Sequence, residues 1–520
     1  MRFHGFDVLV VLFPLLAALI IGCLSFFGWI NGEAGEKTSS RIAITAISLA
    51  LLISLASLAT DSTEVYDYGT WLHVSKIIIG FKLFTGGFNL ALASLFAVLL
   101  LVVMRFSLNY MHREAGFHRW FFTLSLFAAA MLLLVLSANA VFTFIGWEIA
   151  GVCSYWLIAY AYDRPIAAHN ATRVFVTNRI GDGGFLLAIG LAFSWLESAD
   201  WAAINSGAVD LEQADATCLA LSFALAAFAK SAQIPFSPWL ARAMEGPTPS
   251  SALFYGGVMI HAGVILLIQL QGLFQQAPLA MTVLVAVGAL TVLYSVFVGL
   301  TQTDIKSAHS FAISAQLGLM FVECGLGFWQ LASWHLAAHA VVRCYLLLTS
   351  PSILYNSQGR TVKPVAPILA NCRWAFIASL QRAWLEVALD WAALKPVQQL
   401  AKDMSYIDDH LIDPCFTAPA SAIKTAAELA HSEEQKIGAN LQSELDQFAQ
   451  GSGLAGKLTQ WTAVALHWFE QHFILYGIGR DSIQLGRRLG HAANHLEQLL
   501  LRPRYITLFV LISLLVALGV

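Results

Sequence analysis

Apolar residues occur along this chain in long unbroken runs rather than in the strict alternation of a half-buried sheet. Runs of about 20 residues suffice to cross a bilayer core of about 30 Å. Such runs begin near Phe6, Arg41, Asn89, Arg119, Val141, Ala171, Thr217, Ser251, Leu279, Ile305 and Trp329, and a last one begins near Tyr505. The pattern predicts an all-α polytopic membrane protein with about twelve transmembrane helices. The first run is long and has no cleavage site of small residues, so it reads as a retained span rather than a signal peptide. Between the second and third runs, Thr60 to Gly80 reads as a polar loop.

The spacing divides the chain into four stretches. Residues 1–114 hold three N-terminal spans, and residues 115–353 hold eight tightly spaced ones. Residues 354–503 are helical by pattern but amphipathic, and residues 504–520 form a C-terminal anchor. In the amphipathic stretch Trp384-Leu385-Glu386, Tyr406-Ile407-Asp408 and Trp468-Phe469-Glu470 open segments of similar apolar spacing. Rings beside acids suit the membrane interface, so the stretch reads as lateral helices along the bilayer or against partner subunits. A small helical appendage outside the membrane is the plainer alternative. Lys436 to Gly456, rich in Gly, Ser, Gln and Ala, reads as a flexible connector.

Composition agrees with the pattern. Hydrophobic residues are 58% of the chain, charged ones 12%, and the mean hydropathy is +0.68. A soluble domain carries roughly twice that charge. The seven cysteines are scattered with no CxxC pair, which argues against an iron–sulfur, zinc or disulfide framework. With no GxGxxG or GxxxxGK[ST] stretch, no nucleotide or other cofactor site is legible, and nothing points to a nucleic acid. Lys and Arg are spread too evenly over the loops to orient the chain.

Against this background the buried ionisable residues carry the chemistry. Lys230 sits in the apolar run LSFALAAFAK, five residues before Pro235. A charge at the centre of a span costs about 2.5–3.5 kcal/mol or more, so it persists where it faces protein or a hydrated path. The proline breaks the helix at the same depth, which is tolerable where the break lines a cavity. Glu148, in GWEIAGVCSYWLI, is its natural partner if the two helices pack, and a static pair that fixes packing is the bland alternative.

Asp182 follows Arg179 near the start of a span, where it could cap, pair locally or bias a transported charge. His261 lies mid-span, and a histidine's ordinary titration near physiological pH is what a proton relay requires. His335, His339 and Arg343 fall at i, i+4 and i+8, on one helical face over about 12 Å. Two histidines so spaced could also hold a metal, but no third Cys, His or acid completes a set on that face. Asp304 and Lys306 open another span, either as an interfacial pair or with Lys306 reaching inward.

Five stretches together carry a resemblance: GWEIAGVCSYWLI, VTNRIGD, AKSAQIPFSPWLARAMEGPTPSSAL, QTDIKSAHSFAISAQLG and HLAAHAVVRCYLLL. They resemble, in order, the antiporter-like membrane subunits of respiratory complex I, the L-type or chain-5 type above all, and of Mrp cation/proton antiporters. The resemblance implies that Glu148 and Lys230 form the charge pair of a half-channel, with Asp182 on the family's next acid. Lys306 falls on the family's lysine after QTD, and His335 and His339 on the histidines of its linking helix. Where that helix has a lysine this chain has Arg343, which does not release a proton. Tyr255 stands where the family has a histidine, and His261 where sibling subunits have a central lysine. The family has two inverted half-channels, yet no second broken helix with a buried Lys or Glu is legible after Leu354.

The sequence therefore predicts a membrane subunit that conducts protons, or Na⁺, inside a larger assembly. Glu148 and Lys230 would form the gate, and His261, His335, His339 and Lys306 the relay. Asp182 and Arg343 would act as electrostatic controls. Energy would come from partner subunits, among them a peripheral redox protein or, in an inorganic-carbon uptake system, a carbonic-anhydrase-like one. An Mrp-type antiporter is a third host, and a non-conducting scaffold the alternative of another class. The expected setting is a bacterial plasma membrane.

Overall fold

A computed structural model describes residues 5–60, 65–74, 77–350, 369 and 371–408. Residues up to Lys395 form one compact unit, and those from Pro396 a second. All eleven runs expected before residue 354 are helices. Among the described residues, nine helices are long and apolar enough to cross a membrane. These are α1 (Val8–Phe26), α2 (Gly32–Leu58), α3 (Gly87–Tyr110), α4 (Phe117–Leu136), α5 (Ala140–Ile158) and α6 (Pro165–Leu196). After the short α7 (Trp201–Gly207), α8 (Gln213–Lys230) and α9 (Pro238–Ala243) come α10 (Thr248–Gln269), a five-residue α11 (Gln271–Gln275) and α12 (Pro278–Gly299). The less apolar α13 (Ile305–Gly325) precedes α14 (Trp329–Leu348). The anchor expected from Tyr505 and the connector at Lys436 to Gly456 lie outside the described residues.

Local chemistry sets the ends of these helices. Prolines open α6, α9 and α12, where a missing N–H costs nothing. Asn139 caps α5 by accepting from Phe142 N, and Asp304 caps α13 by accepting from Ser307 N. Helix α2 starts nine residues before its apolar run (Gly32 against Arg41). Its polar first turns are held by Glu36, which accepts from Arg113 N at 2.9 Å and meets His112 Nδ1 at 2.8 Å.

The polar loop expected at Thr60 to Gly80 differs in the structure. Its alternating apolar residues pair as an antiparallel hairpin of β1 (Val65–Val74) and β2 (Ile77–Phe84). Lys82 Nζ reaches Asp200 at 2.6 Å, and Asn139 Nδ2 donates to Gly80 O at 2.8 Å. The hairpin is thus stitched to the start of α5.

Small residues allow the close crossings that membrane bundles need. A methyl on Gly263 of α10 would lie 2.5 Å from Ala227 O, so α8 and α10 touch backbone to backbone. Of the nine apolar spans α10 is the most completely enclosed. It is also the second interrupted helix, which the sequence did not announce: Ser251–Gly257 is wound as a π-helix and Met259–His261 as a 3₁₀ turn.

Beyond the core, α15 (Arg373–Leu380) rests on α12, with Ser379 Oγ bonded to Phe297 O at 2.7 Å. A short α16 (Leu385–Leu389) follows. The last described helix, α17 (Lys395–Ile407), belongs from Pro396 to the second unit and places Val397, Leu400, Met404 and Ile407 on one face, as an amphipathic helix does.

Candidate functional site

Two clusters of polar side chains lie inside the bundle, one at each of the two helix breaks. The first gathers on α5, α6 and the end of α8. Lys230 is fully buried, 1% exposed. Its Nζ donates to Trp147 O at 3.1 Å and lies 5.0 Å from the centre of the Trp147 ring. The helix stops there as Ala232 takes a left-handed φ of 51°, three residues before Pro235. The expected contact between Glu148 and Lys230 is not made directly. Among the described residues no carboxylate lies within 4.0 Å of Lys230, and Glu148 Oε2 is instead paired with Arg179.

Arg179 also reaches Asp182 Oδ2 at 2.8 Å, so it stands between the two acids. Asp182 Oδ1 accepts from Trp147 Nε1 at 2.7 Å. Trp147 thereby touches Asp182 with its ring nitrogen and Lys230 with its carbonyl. Gly151 makes room for this arrangement: a methyl there would sit 3.3 Å from both Arg179 Nη2 and Lys230 Nζ. A small cavity, about the size of one water, opens beside Lys230, Arg179, Asn178, Ser154 and Met259. Glu148 Oε1 is buried with no protein hydrogen-bond partner.

The second cluster joins α10, α13 and α14. His261 Nε2 and His339 Nδ1 are 2.8 Å apart, with His261 0% and His339 5% exposed. One helical turn from His339, the His335 ring centre is 6.3 Å away. His335 Nδ1 meets Glu323 Oε1 at 2.9 Å, and Nε2 meets Gln316 Oε1 at 3.0 Å. With Gln316 presenting its oxygen, Nε2 of the ring is the donor. With the amide turned over, Nε2 accepts. His339 Nε2 and Glu323 Oε2 are buried without a protein partner.

Ser231 connects the two breaks. It follows Lys230, donates to Ile260 O at 2.7 Å and accepts from Gly263 N at 3.2 Å. It therefore satisfies backbone groups freed by the interruption of α10, next to His261.

Lys306 and Arg343 stand apart from both clusters. Lys306 Nζ donates to Gly246 O at 3.2 Å, and Arg343 Nη2 to Ala312 O at 3.4 Å. Among the described residues, no three Cys, His, Asp or Glu side chains converge as metal ligands.

The residues Gln316, Glu323 and Trp147 escaped the sequence reading, and Arg179 entered it only as a local partner of Asp182. For Glu323 a signal existed. The turn between α13 and α14 is short, so residues near it on the two helices must face one another.

Glu386, read as opening a lateral segment, packs against the core. It accepts from Arg173 Nη1 at 2.6 Å and from Arg242 Nε and Nη2 at 2.5 and 3.0 Å. Burial opposes its charge, but the bonds from Arg242 and the nearby Arg173 and Arg382 outweigh it and hold the carboxyl below its ordinary range.

Residues 137–365 match the family model described as NADH:quinone oxidoreductase/Mrp antiporter, TM. The core is a transmembrane domain of that family. The chain is homologous to subunit 5 of NAD(P)H-quinone oxidoreductases. It is 34% identical over 359 residues to the chloroplast subunit 5 of Marchantia polymorpha, covering 67% of this chain and 52% of that one. The Physcomitrium patens subunit is 37% identical over 371 residues (68% and 51%), and NADH-ubiquinone oxidoreductase chain 5 of Metridium senile is 36% identical over 356 (67% and 58%). The chain thus spans about half the length of the curated relatives it matches. Among solved structures, the Mrp complex from Dietzia sp. DQ12-45-1b superposes with a TM-score of 0.59 at 24% identity, over 66% of this chain and 37% of that one. The archaeal membrane-bound sulfane sulfur reductase gives 0.57 at 19% identity, over 66% and 70%. These two likenesses show the fold alone. The protein is a multi-pass membrane protein with an antiporter-type core.

Proposed function

We propose that this chain is a proton-translocating subunit of a multi-subunit membrane complex. The observation that carries the reading is the 2.8 Å contact between two buried histidines, His261 and His339, on separate helices. One of these helices is interrupted at the contact and bonded through Ser231 to the break that holds Lys230. An imidazole pair can receive a proton on one ring and release it from the other with little driving force. The unpartnered polar atoms of Glu148, His339 and Glu323 supply sites for bridging water along the same line.

In this reading Lys230 is the gate, and its neighbours Glu148 and Asp182 bias it through Arg179. His261, His339 and His335 form the relay, with Glu323 and Gln316 as its outer end. Lys306, bonded to Gly246 O, would serve a step nearer the surface, and Arg343 would set the local field without exchanging a proton. The relatives belong by name to quinone oxidoreductases, Mrp and sulfane sulfur reductase assemblies, which supports membrane partners for this chain. Which peripheral subunit supplies the energy, redox or carbonic-anhydrase-like, is read from what co-purifies. Chloroplast chains are among the relatives, so a bacterial plasma membrane is part of the proposal.

The test is transport by the intact assembly in proteoliposomes, with pH-sensitive and Na⁺-sensitive dyes inside. Proton movement without Na⁺ supports the reading, Na⁺ movement alone reassigns the ion, and neither under an imposed gradient favours a scaffold.

A further inference from the structure

The family match ends at residue 365, yet the segment just beyond it is built into the core. Three successive non-glycine residues, Arg382, Ala383 and Trp384, take left-handed φ values of 53°, 52° and 53°. This reversal delivers Glu386 and Asp390 to two core elements at once. Arg173 on α6 donates to Glu386 Oε1 at 2.6 Å and grips Asp390 with Nε at 2.9 Å and Nη2 at 2.5 Å. Arg242 on α9 donates to both Glu386 oxygens, and Arg382 Nη1 adds a longer contact at 3.5 Å. Planar forks on a carboxylate fix direction as well as distance.

Both grips lead to the Lys230 cluster. Arg173 stands on the same helix as Arg179 and Asp182, under two turns before the first and about two and a half before the second. Arg242 stands on α9, and three residues earlier Trp239 Nε1 donates to Ala229 O at 2.8 Å, the carbonyl just before Lys230. The carboxylate of Glu386 therefore ties the helix that carries Arg179 and Asp182 to the segment that holds the end of the lysine helix.

We propose that Glu386 is a positioning residue for the Lys230 site, setting the spacing between α6 and the broken end of α8 through Arg173 and Arg242. The inference rests on the transport reading above and adds that a segment beyond the family domain controls the gate. A packing role alone would change how much complex assembles, whereas a positioning role changes how transport depends on pH.

The experiment compares Glu386→Gln, Glu386→Asp and Lys230→Met in the intact assembly, with flux normalised to assembled protein and followed from pH 6 to 9. Glu386→Gln is expected to lower flux roughly tenfold and displace its pH profile, as coupling of this kind does. Glu386→Asp, which keeps the charge, should restore most of both. If Glu386→Gln does not assemble, Arg242→Lys, which keeps the charge but loses the fork, should show the displaced profile. An undisplaced profile for these variants overturns the positioning role while a dead Lys230→Met leaves the transport reading standing. Undiminished flux in Lys230→Met removes that reading itself.

Discussion

His261 Nε2 and His339 Nδ1 lie 2.8 Å apart in the interior of the bundle, on helices whose residues are 78 apart in sequence. Only one proton fits between two neutral rings so placed, so they titrate as a unit. The two single variants His261→Phe and His339→Phe should each reduce proton flux about as much as the double variant does. Additive losses would show that the rings act separately.

Arg179 holds Glu148 and Asp182 together. Removing the arginine from this half-buried cluster leaves both carboxylates uncompensated. Arg179→Gln should therefore lower the yield of folded subunit and abolish flux in what remains. Arg179→Lys should assemble better but transport poorly, since a lysine cannot fork between two acids. Western quantification beside flux separates the two effects.

The crossing of α8 and α10 has no room for a methyl group at Gly263, which would lie 2.5 Å from both Ala227 O and Ser231 Oγ. Gly263→Ala should destabilise the subunit by about 1–3 kcal/mol through overpacking. A thermal-shift assay in detergent should show the lowered midpoint, while Gly190→Ala, where nothing lies within 4 Å, should be close to neutral.

The hairpin offers a pH test outside the spans. Lys82 is raised above its ordinary value, chiefly by its hydrogen bond to Asp200, which outweighs the opposing effect of burial, with smaller help from the charges of Asp200 and Asp67. Its folded-state value exceeds the unfolded one, so the stabilisation is complete below about pH 10.4 and is lost as the pH rises through the folded value. Limited proteolysis of the hairpin should stay slow across neutral pH and quicken only at strongly alkaline pH. In Lys82→Met it should be fast already at neutral pH.

What was legible in the sequence were features written in single segments. Each apolar run announced its helix, and Pro235, five residues after Lys230, announced the break. The i, i+4 histidines shared a face as helical geometry requires. What was not legible depends on which helices touch. Arg179 looked like a local partner of Asp182, because its second contact, Glu148, lies on another helix. Glu323 looked like a residue near a helix end until α13 and α14 folded back on each other. Glu386 looked like the opening of a lateral segment because its three arginine neighbours are spread over residues 173 to 382. The interruption of α10 carries no proline, so only the packing of Gly263 and Ser231 against it reveals it.

The central claim is that a buried lysine at a helix break passes protons. Lys230→Met keeps the length of the side chain and removes the charge, so proton flux through the intact assembly, measured per assembled complex, tests it most directly. The expected result is flux at background level with the complex otherwise intact. Flux equal to that of the unmodified protein would contradict it.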